Sequence, residues 1–315
     1  MTGVIDKILC YTGINEYTED PMTTLEQLTL DLPNGETIAY YKAGSGPKNL
    51  VLIHGNFGSA IHWRLLQEKL AEDFTTYALD LRGYGDTSYN TPAQTMAEYG
   101  NDVKLFLDGL DIKTCYLSGW SLGGAVAMEF ASNHPNMVEK LVLLESASVQ
   151  GYHLLKRNFF GKPIPNTAAL SKEEIHKEVK AVLKAIAKKN TFMIKTILNM
   201  SLFTVKKPEK EYMDDLVQAV FKQRNLVDVN HALVHFNISH RNSHAESGTG
   251  KVDNLTMPVY ILQGNLDKVV KPEVAQTNAK AIGENAKVVE LTGCGHFPPV
   301  EDLDQVVKAY RECLG

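Results

Sequence analysis

With 315 residues, 44% hydrophobic and 22% charged, the chain has the composition of an ordinary globular protein, long enough to bury a substantial core as one large domain or a domain with an insertion. A formal net charge of −5 gives no basic surface for nucleic acid or anionic lipid beyond local patches, so no nucleic-acid partner and no binding of polyanions is expected. No stretch reaches the roughly 18 to 20 apolar residues of a membrane span, and residues 1–17 lack a basic segment followed by a long apolar one.

Four scattered cysteines (Cys10, Cys115, Cys294, Cys313) form no C-x-x-C pair, so reduced thiols in a cytoplasmic protein are the expectation. Residues 1–24 are weakly periodic and read as an N-terminal extension packed on the body or on the rim of a site. From Leu25, leucines at 25, 28, 30 and 32 lead to Pro33-Asn34-Gly35 and then to the β-rich run 37–41, which predicts a hairpin. Residues 49–53 are a short apolar run of the kind buried on both faces of a parallel sheet. They end in His54-Gly55-Asn56-Phe57-Gly58-Ser59, and a helix is expected over 60–72. A strand over 75–79, the polar loop Asp80 to Ser88, a helix over 95–107 and a strand over 114–118 follow. That strand feeds Gly119-Trp120-Ser121-Leu122-Gly123, then a helix over 122–133 and a strand over 138–144. Such alternation with short connections predicts a doubly wound, mostly parallel α/β sheet.

The alternation then stops. Residues 146–254 carry helical segments, clearest at 171–189, with a Ser171-x-x-Glu174 capping box, and at 208–224, with Pro208 in the first turn. Pieces rich in Met and Phe (Phe192, Met193, Met200, Phe203) lie between them. A helical insertion after one strand of an open sheet reads as a cap, or lid, over the C-terminal strand ends. The expected core is therefore 25–145 plus 255–315, with 146–254 inserted as the cap. The strand pattern resumes at 258–264, followed by a helix near 273–282, a strand at 286–291 and a closing helix at 303–313.

Chemistry converges on the turn at 119–123. A strand running straight into a helix turns sharply, glycines at 119 and 123 remove the Cβ atoms that would collide, and the Ser121 hydroxyl is left exposed at the tip. A serine needs a base, and the base needs a carboxylate. His296 follows the last strand and Asp267 the strand before it, both at the sheet edge where Ser121 sits, in the order Ser, Asp, His. Glu145, at the end of the strand before the insertion, is the alternative acid. Acyl transfer also needs two oxyanion donors: the N–H of Leu122, and one from the loop after His54-Gly55, with Asn56 the first choice and Phe57 the second. His54 reads as a brace between loops. Trp120 either lines the substrate pocket or packs beneath the turn.

From about Leu25 to its end the chain resembles the α/β-hydrolase fold superfamily. The likeness rests on His54-Gly55, on Asp80-Leu81-Arg82-Gly83-Tyr84-Gly85-x-x-Ser88, on Gly119 to Gly124, on Asp267 and on Gly293-x-Gly295-His296. Carboxylesterases, carrier-protein methyl esterases, and lactone and C–C bond hydrolases of that superfamily are most similar in these loops. The resemblance implies a nucleophile at Ser121, an acid at Asp267 and a base at His296. Haloalkane dehalogenases and epoxide hydrolases of the superfamily use an aspartate nucleophile, so Ser121 argues against both. The implied activity is hydrolysis of small to medium carboxylic esters, thioesters or lactones with an apolar acyl part, through an acyl-enzyme. A C–C bond hydrolase, an amidase or a cofactor-free peroxidase on the same triad is the alternative, and a non-catalytic ligand receptor the remote one.

No cofactor and no metal are expected. His231 and His235, at i and i+4, share a helix face, but the sequence places no carboxylate or cysteine to complete a site with them or with His240 and His244. The expected partner is a small-molecule acyl substrate. Most Met and aromatic residues of the insertion are expected to pack against the body rather than touch it.

Overall fold

The computed structural model describes residues 25–315; the extension expected over 1–24, with Cys10, lies outside the described residues. Strands β1 (Glu26–Asp31) and β2 (Thr37–Ala43) form the expected hairpin, and β3 (Lys48–Ile53), β4 (Phe74–Leu79), β5 (Cys115–Trp120), β6 (Val138–Leu144), β7 (Val259–Gly264) and β8 (Ala286–Leu291) follow. All lie in one sheet, in the order β1-β2-β4-β3-β5-β6-β7-β8. The hairpin is not a separate layer: β2 pairs antiparallel with β4 and so extends the parallel sheet at its edge. The order reverses at β3, which lies between β4 and β5, and a crevice for ligands opens at such a switch point.

Alternation along the strands divides the interior into two cores. Val51, Ile53, Leu117, Leu141, Leu143 and Ile261 face one side with Tyr99, Val103 and Phe106 of α2 (Met96–Gly109) and the buried face of α3 (Leu122–Asn133). Leu50, Leu52, Tyr116, Val142, Leu144 and Leu262 face the other, against α1 (Arg64–Leu70) and α10 (Leu303–Leu314). In α10 the apolar residues Val306, Val307, Tyr310, Cys313 and Leu314 recur at three- and four-residue spacing and are all buried. Each fully buried side chain of this size contributes about 1.5 to 3 kcal/mol, so the sheet is a rigid platform.

Between β6 and β7 lie α4 (Lys172–Ala187), α5 (Thr191–Ser201), α6 (Lys210–Phe221) and α7 (Leu226–Val234); α8 (Pro272–Ile282) and the short α9 (Pro298–Glu301) come later. The Ser171–Glu174 capping box forms as the spacing predicts, with the Ser171 hydroxyl accepting from Glu174 N–H. Pro208 does not open a helix: α6 starts at Lys210, with Glu209 as its N-cap. The helix expected over 60–72 divides into a 3₁₀ turn, Ala60–Trp63, whose first N–H donates to the Asp80 carboxylate, and α1.

Register aligns the loops at one edge. Ile53 pairs with Gly119, Trp120 with Leu144, Leu144 with Leu262 and Gly264 with Leu291. Residues 54–57, 121, 145, 265–270 and 292–297 therefore emerge side by side.

Candidate active site

Strand β5 runs two residues further than the sequence pattern indicates, through Trp120, because β6 keeps pairing with it up to Leu144. The whole turn is then compressed onto Ser121, whose φ of 54° and ψ of −120° are unusual for a residue with a Cβ. A Cβ on Gly119 would lie 2.3 Å from the Gly123 carbonyl oxygen, and one on Gly123 would lie 2.3 Å from that of Ile53. Both glycines are thus required by close backbone approach. Ser121 N–H donates to Leu144 O at 3.0 Å, and Ser121 O accepts from Gly124 and Ala147, so the strained residue is held from both sides.

His296 arrives in the loop after β8 and Asp267 in the loop after β7. His296 Nε2 is 3.0 Å from Ser121 Oγ, and His296 Nδ1 is 2.7 Å from Asp267 Oδ2. Asp267 Oδ1 accepts from the N–H groups of Val269 and Val270 at 2.7 and 3.0 Å. Burial works to raise the Asp267 pKa. The hydrogen bond and charge of His296, a bond from Glu145 and the Val269 N–H outweigh it and hold the carboxyl below its ordinary value.

Glu145 makes no hydrogen bond to His296, whose ring nitrogens meet Asp267 and Ser121. It is fully buried, at φ +44°, and its Oε1 accepts from Gly264 N–H at 2.6 Å while Oε2 meets Gln263 Nε2 at 2.5 Å. Burial first, then the charge of Asp267 beside it, pushes its pKa well above the ordinary glutamate value. It is a carboxyl behind the acid, and the alternative acid of the sequence reading is set aside by position. Glu145, Asp267 and His296 have the donor types of a metal site, but N–H groups of the protein already occupy their carboxylate oxygens.

The loop at 54–57 lies against the serine: a Cβ on Gly55 would be 2.9 Å from Ser121 Cβ. His54 braces it, donating from Nδ1 to Gly55 O at 2.8 Å and accepting Leu81 N–H on Nε2 at 3.0 Å. Burial drives its pKa down to about 4, so it is neutral at physiological pH. Phe57 N–H is taken by the Asn56 side-chain oxygen at 3.1 Å, whereas Asn56 N–H has no hydrogen-bond partner among the described residues. The Asn56 oxygen also accepts from Tyr84 Oη and Gln223 Nε2, each at 2.9 Å.

Gln223 and Asn225 went unnoticed in the sequence. Gln223 donates to Asn56 and to Asn225, and Asn225 donates to Arg82 O and Tyr99 Oη, so the stretch between α6 and α7 is stitched to the loops of the site. The signal was available: a polar triplet, Gln223-Arg224-Asn225, interrupts two apolar helical patterns.

Trp120 corrects one expectation. Its side chain does not line the cavity: it is 1% exposed, packs on Phe297 and His62, and donates from Nε1 to His296 O at 2.8 Å. Because β5 continues through position 120, strand alternation turns this side chain into the core beneath Ser121.

A cavity of about 1010 Å³ opens above Ser121, with Asn56, Phe57, Leu122 and His296 at its floor. Val179 and Val182 of α4, Ile197 of α5 and Leu233 and Val234 of α7 supply apolar walls. Of the Met and Phe residues that stood out in the sequence, Phe203 is buried and Met193 packs on the core, but Phe192 and Met200 are exposed. The histidines serve local contacts: His235 bonds Glu246 and Leu170 O, and His240 bonds Asp253. Among the described residues no helix is long and apolar enough to cross a membrane.

Comparison with known proteins identifies the family and the fold. The alpha/beta hydrolase fold family matches residues 48–303. An uncharacterized protein of Mycobacterium tuberculosis is 38% identical over 116 residues, which are 37% of this chain and about a third (34%) of that relative's length. Lipase 1 of Psychrobacter immobilis is 26% identical over 310 residues, covering 92% of this chain and 85% of the lipase. In fold, a thermophilic esterase from Thermogutta terrifontis is similar with a TM-score of 0.69 at 21% identity, covering 91% of this chain and 97% of the esterase. The chain belongs to the α/β-hydrolase fold family.

Proposed function

We propose that the chain is a serine hydrolase of carboxylic esters with a substantially apolar acyl part. The observation that carries this reading is the continuous hydrogen-bonded line from Ser121 Oγ through the His296 ring to Asp267. Ser121 Oγ attacks the ester carbonyl carbon while His296 Nε2 takes its proton. Asp267 holds the ring by the Nδ1–H and stabilises the imidazolium, and the N–H groups of Leu122 and Asn56 hold the oxyanion. Collapse expels the alcohol, which receives the proton from His296. Water, deprotonated by the same histidine, then releases the acid and restores Ser121.

Residues 146–254 are the lid of this site, and the apolar walls from α4, α5 and α7 support a chain-like acyl group rather than a small polar one. The name of the Psychrobacter relative, a lipase, is in keeping with that choice. Ser121→Ala should lower turnover of a p-nitrophenyl ester by at least about a thousandfold and abolish labelling by a fluorophosphonate probe. A variant that keeps near-native turnover would refute the assignment.

A further inference from the structure

The segment that follows β6 contains a feature that hydrolysis does not require. Residues 157–163 form a small antiparallel hairpin in which Arg157 pairs with Pro163. Its turn is closed by hydrogen bonds: Gly161 N–H donates to Asn158 O, Asn158 N–H to Lys162 O, and the Asn158 side-chain oxygen accepts from the N–H groups of both Phe160 and Lys162. Gly161, at φ +74°, has open space around it. At the tip stand Phe159 and Phe160, 96% and 82% exposed, touching only edge to face with ring centroids 5.6 Å apart.

Two adjacent aromatic rings held out in water by a hydrogen-bonded turn leave apolar surface whose burial by an occupant is favourable. The flanking charges say which. Arg157 and Lys162 have no ion-pair partner among the described residues, whereas Lys156 at the foot is paired with Glu174. A chain that is acidic overall therefore carries its aromatic tip between two cationic side chains that make no salt bridge among the described residues, with the Glu178 carboxylate held by the Arg157 N–H at the foot. Aromatic rings at headgroup depth with cations beside them are the chemistry of an anionic lipid surface. The location fits as well. Tyr152, His153, Leu154 and Arg157, at the foot of the hairpin, all line the cavity above Ser121, and Tyr152 is 46% exposed at its rim.

We propose that the hairpin 157–163 is a docking tip that seats the mouth of the cavity on an anionic lipid surface. The rings enter the headgroup layer, Arg157 and Lys162 meet lipid phosphates, and an apolar substrate passes from the surface into the cavity without crossing bulk water. Docking itself does not depend on the hydrolytic reading, so the two fail separately.

The test is co-sedimentation of the full chain, carrying Ser121→Ala so that no lipid is consumed. One set of vesicles contains equal parts phosphatidylglycerol and phosphatidylcholine, the other phosphatidylcholine alone. The expected result is preferential binding to the anionic vesicles. Phe159→Ser with Phe160→Ser should lower it at least about tenfold, with an unchanged thermal midpoint showing that this variant is folded. Lys162→Glu should weaken binding to the anionic vesicles and leave the phosphatidylcholine result unaltered. Failure to bind, or binding indifferent to the two phenylalanines, overturns the proposal. So does a dimer in the ultracentrifuge that the same double variant converts to monomer, since the tip would then be an interface with a second copy of this chain.

Discussion

Glu145 is where a single residue most clearly shows what burial does. Unfolded, its carboxyl ionises in the ordinary range near 4.5; folded, burial and the Asp267 charge keep the proton on until much higher pH. The folded state therefore binds one more proton than the unfolded state above that range, and this group's contribution to stability is full below it and declines as pH rises. Glutamine keeps the shape and does not titrate, while its amide nitrogen replaces an oxygen that accepts from Gly264 N–H or Gln263 Nε2, a cost that does not change with pH. The stability of Glu145→Gln relative to the parent should thus rise from pH 4 toward pH 8, by up to about 1.4 kcal/mol per pH unit. Denaturant unfolding at several pH values measures this, and a pH-independent difference would contradict it. In the sequence, Glu145 was legible as a carboxyl at the right strand end. That it stands behind Asp267 rather than against His296 depended on how the β6 and β7 loops meet.

At the scale of elements, the hairpin, α2 and the loop at 80–88 are joined by one buried ionic cluster. Arg82 donates from Nε and a terminal nitrogen to Asp102 of α2 at 2.8 and 2.5 Å, and Asn34 of the hairpin turn donates to Asp102 Oδ1 at 2.8 Å. Glu36 Oε1 is 3.9 Å from Arg82. Removing Asp102 leaves the buried Arg82 guanidinium, among the described residues, with only the Thr91 carbonyl and the more distant Glu36. Asp102→Ala should lower unfolding free energy by about 3 to 5 kcal/mol, seen as a shifted denaturant midpoint. A loss of less than about 1 kcal/mol, the worth of an exposed pair, would show that water reaches the cluster. Element existence was readable from periodicity and caps, as with Ser171 and Glu174. Boundaries followed tertiary contacts: β5 lengthened because β6 stayed paired with it, and α6 began after Pro208 rather than at it.

For the molecule as a whole, the cavity is the joint product of sheet loops and the helices between β6 and β7. Val182 of α4 lies on its wall, and Ile197 and Leu233 come from two other helices. Filling that space should discriminate by substrate length. Val182→Trp is expected to lower kcat/KM for long-chain p-nitrophenyl esters at least about tenfold while acetate turnover changes little. Equal losses on both would mean that the acyl chain does not run past α4.

The sequence by itself determined the α/β alternation, the turn at Ser121 and the candidates Asp267 and His296. These rest on local chemistry: two-residue and 3.6-residue apolar periods, glycines where backbones collide, and titratable residues at strand ends. Only the tertiary structure decided that Trp120 lies under the serine, that Gln223 holds the Asn56 loop, that Phe159 and Phe160 stand exposed, and that Glu145 is buried beside Asp267 with its pKa pushed up. Those properties arise from segments far apart in the chain meeting in space, and from the water that such meetings exclude.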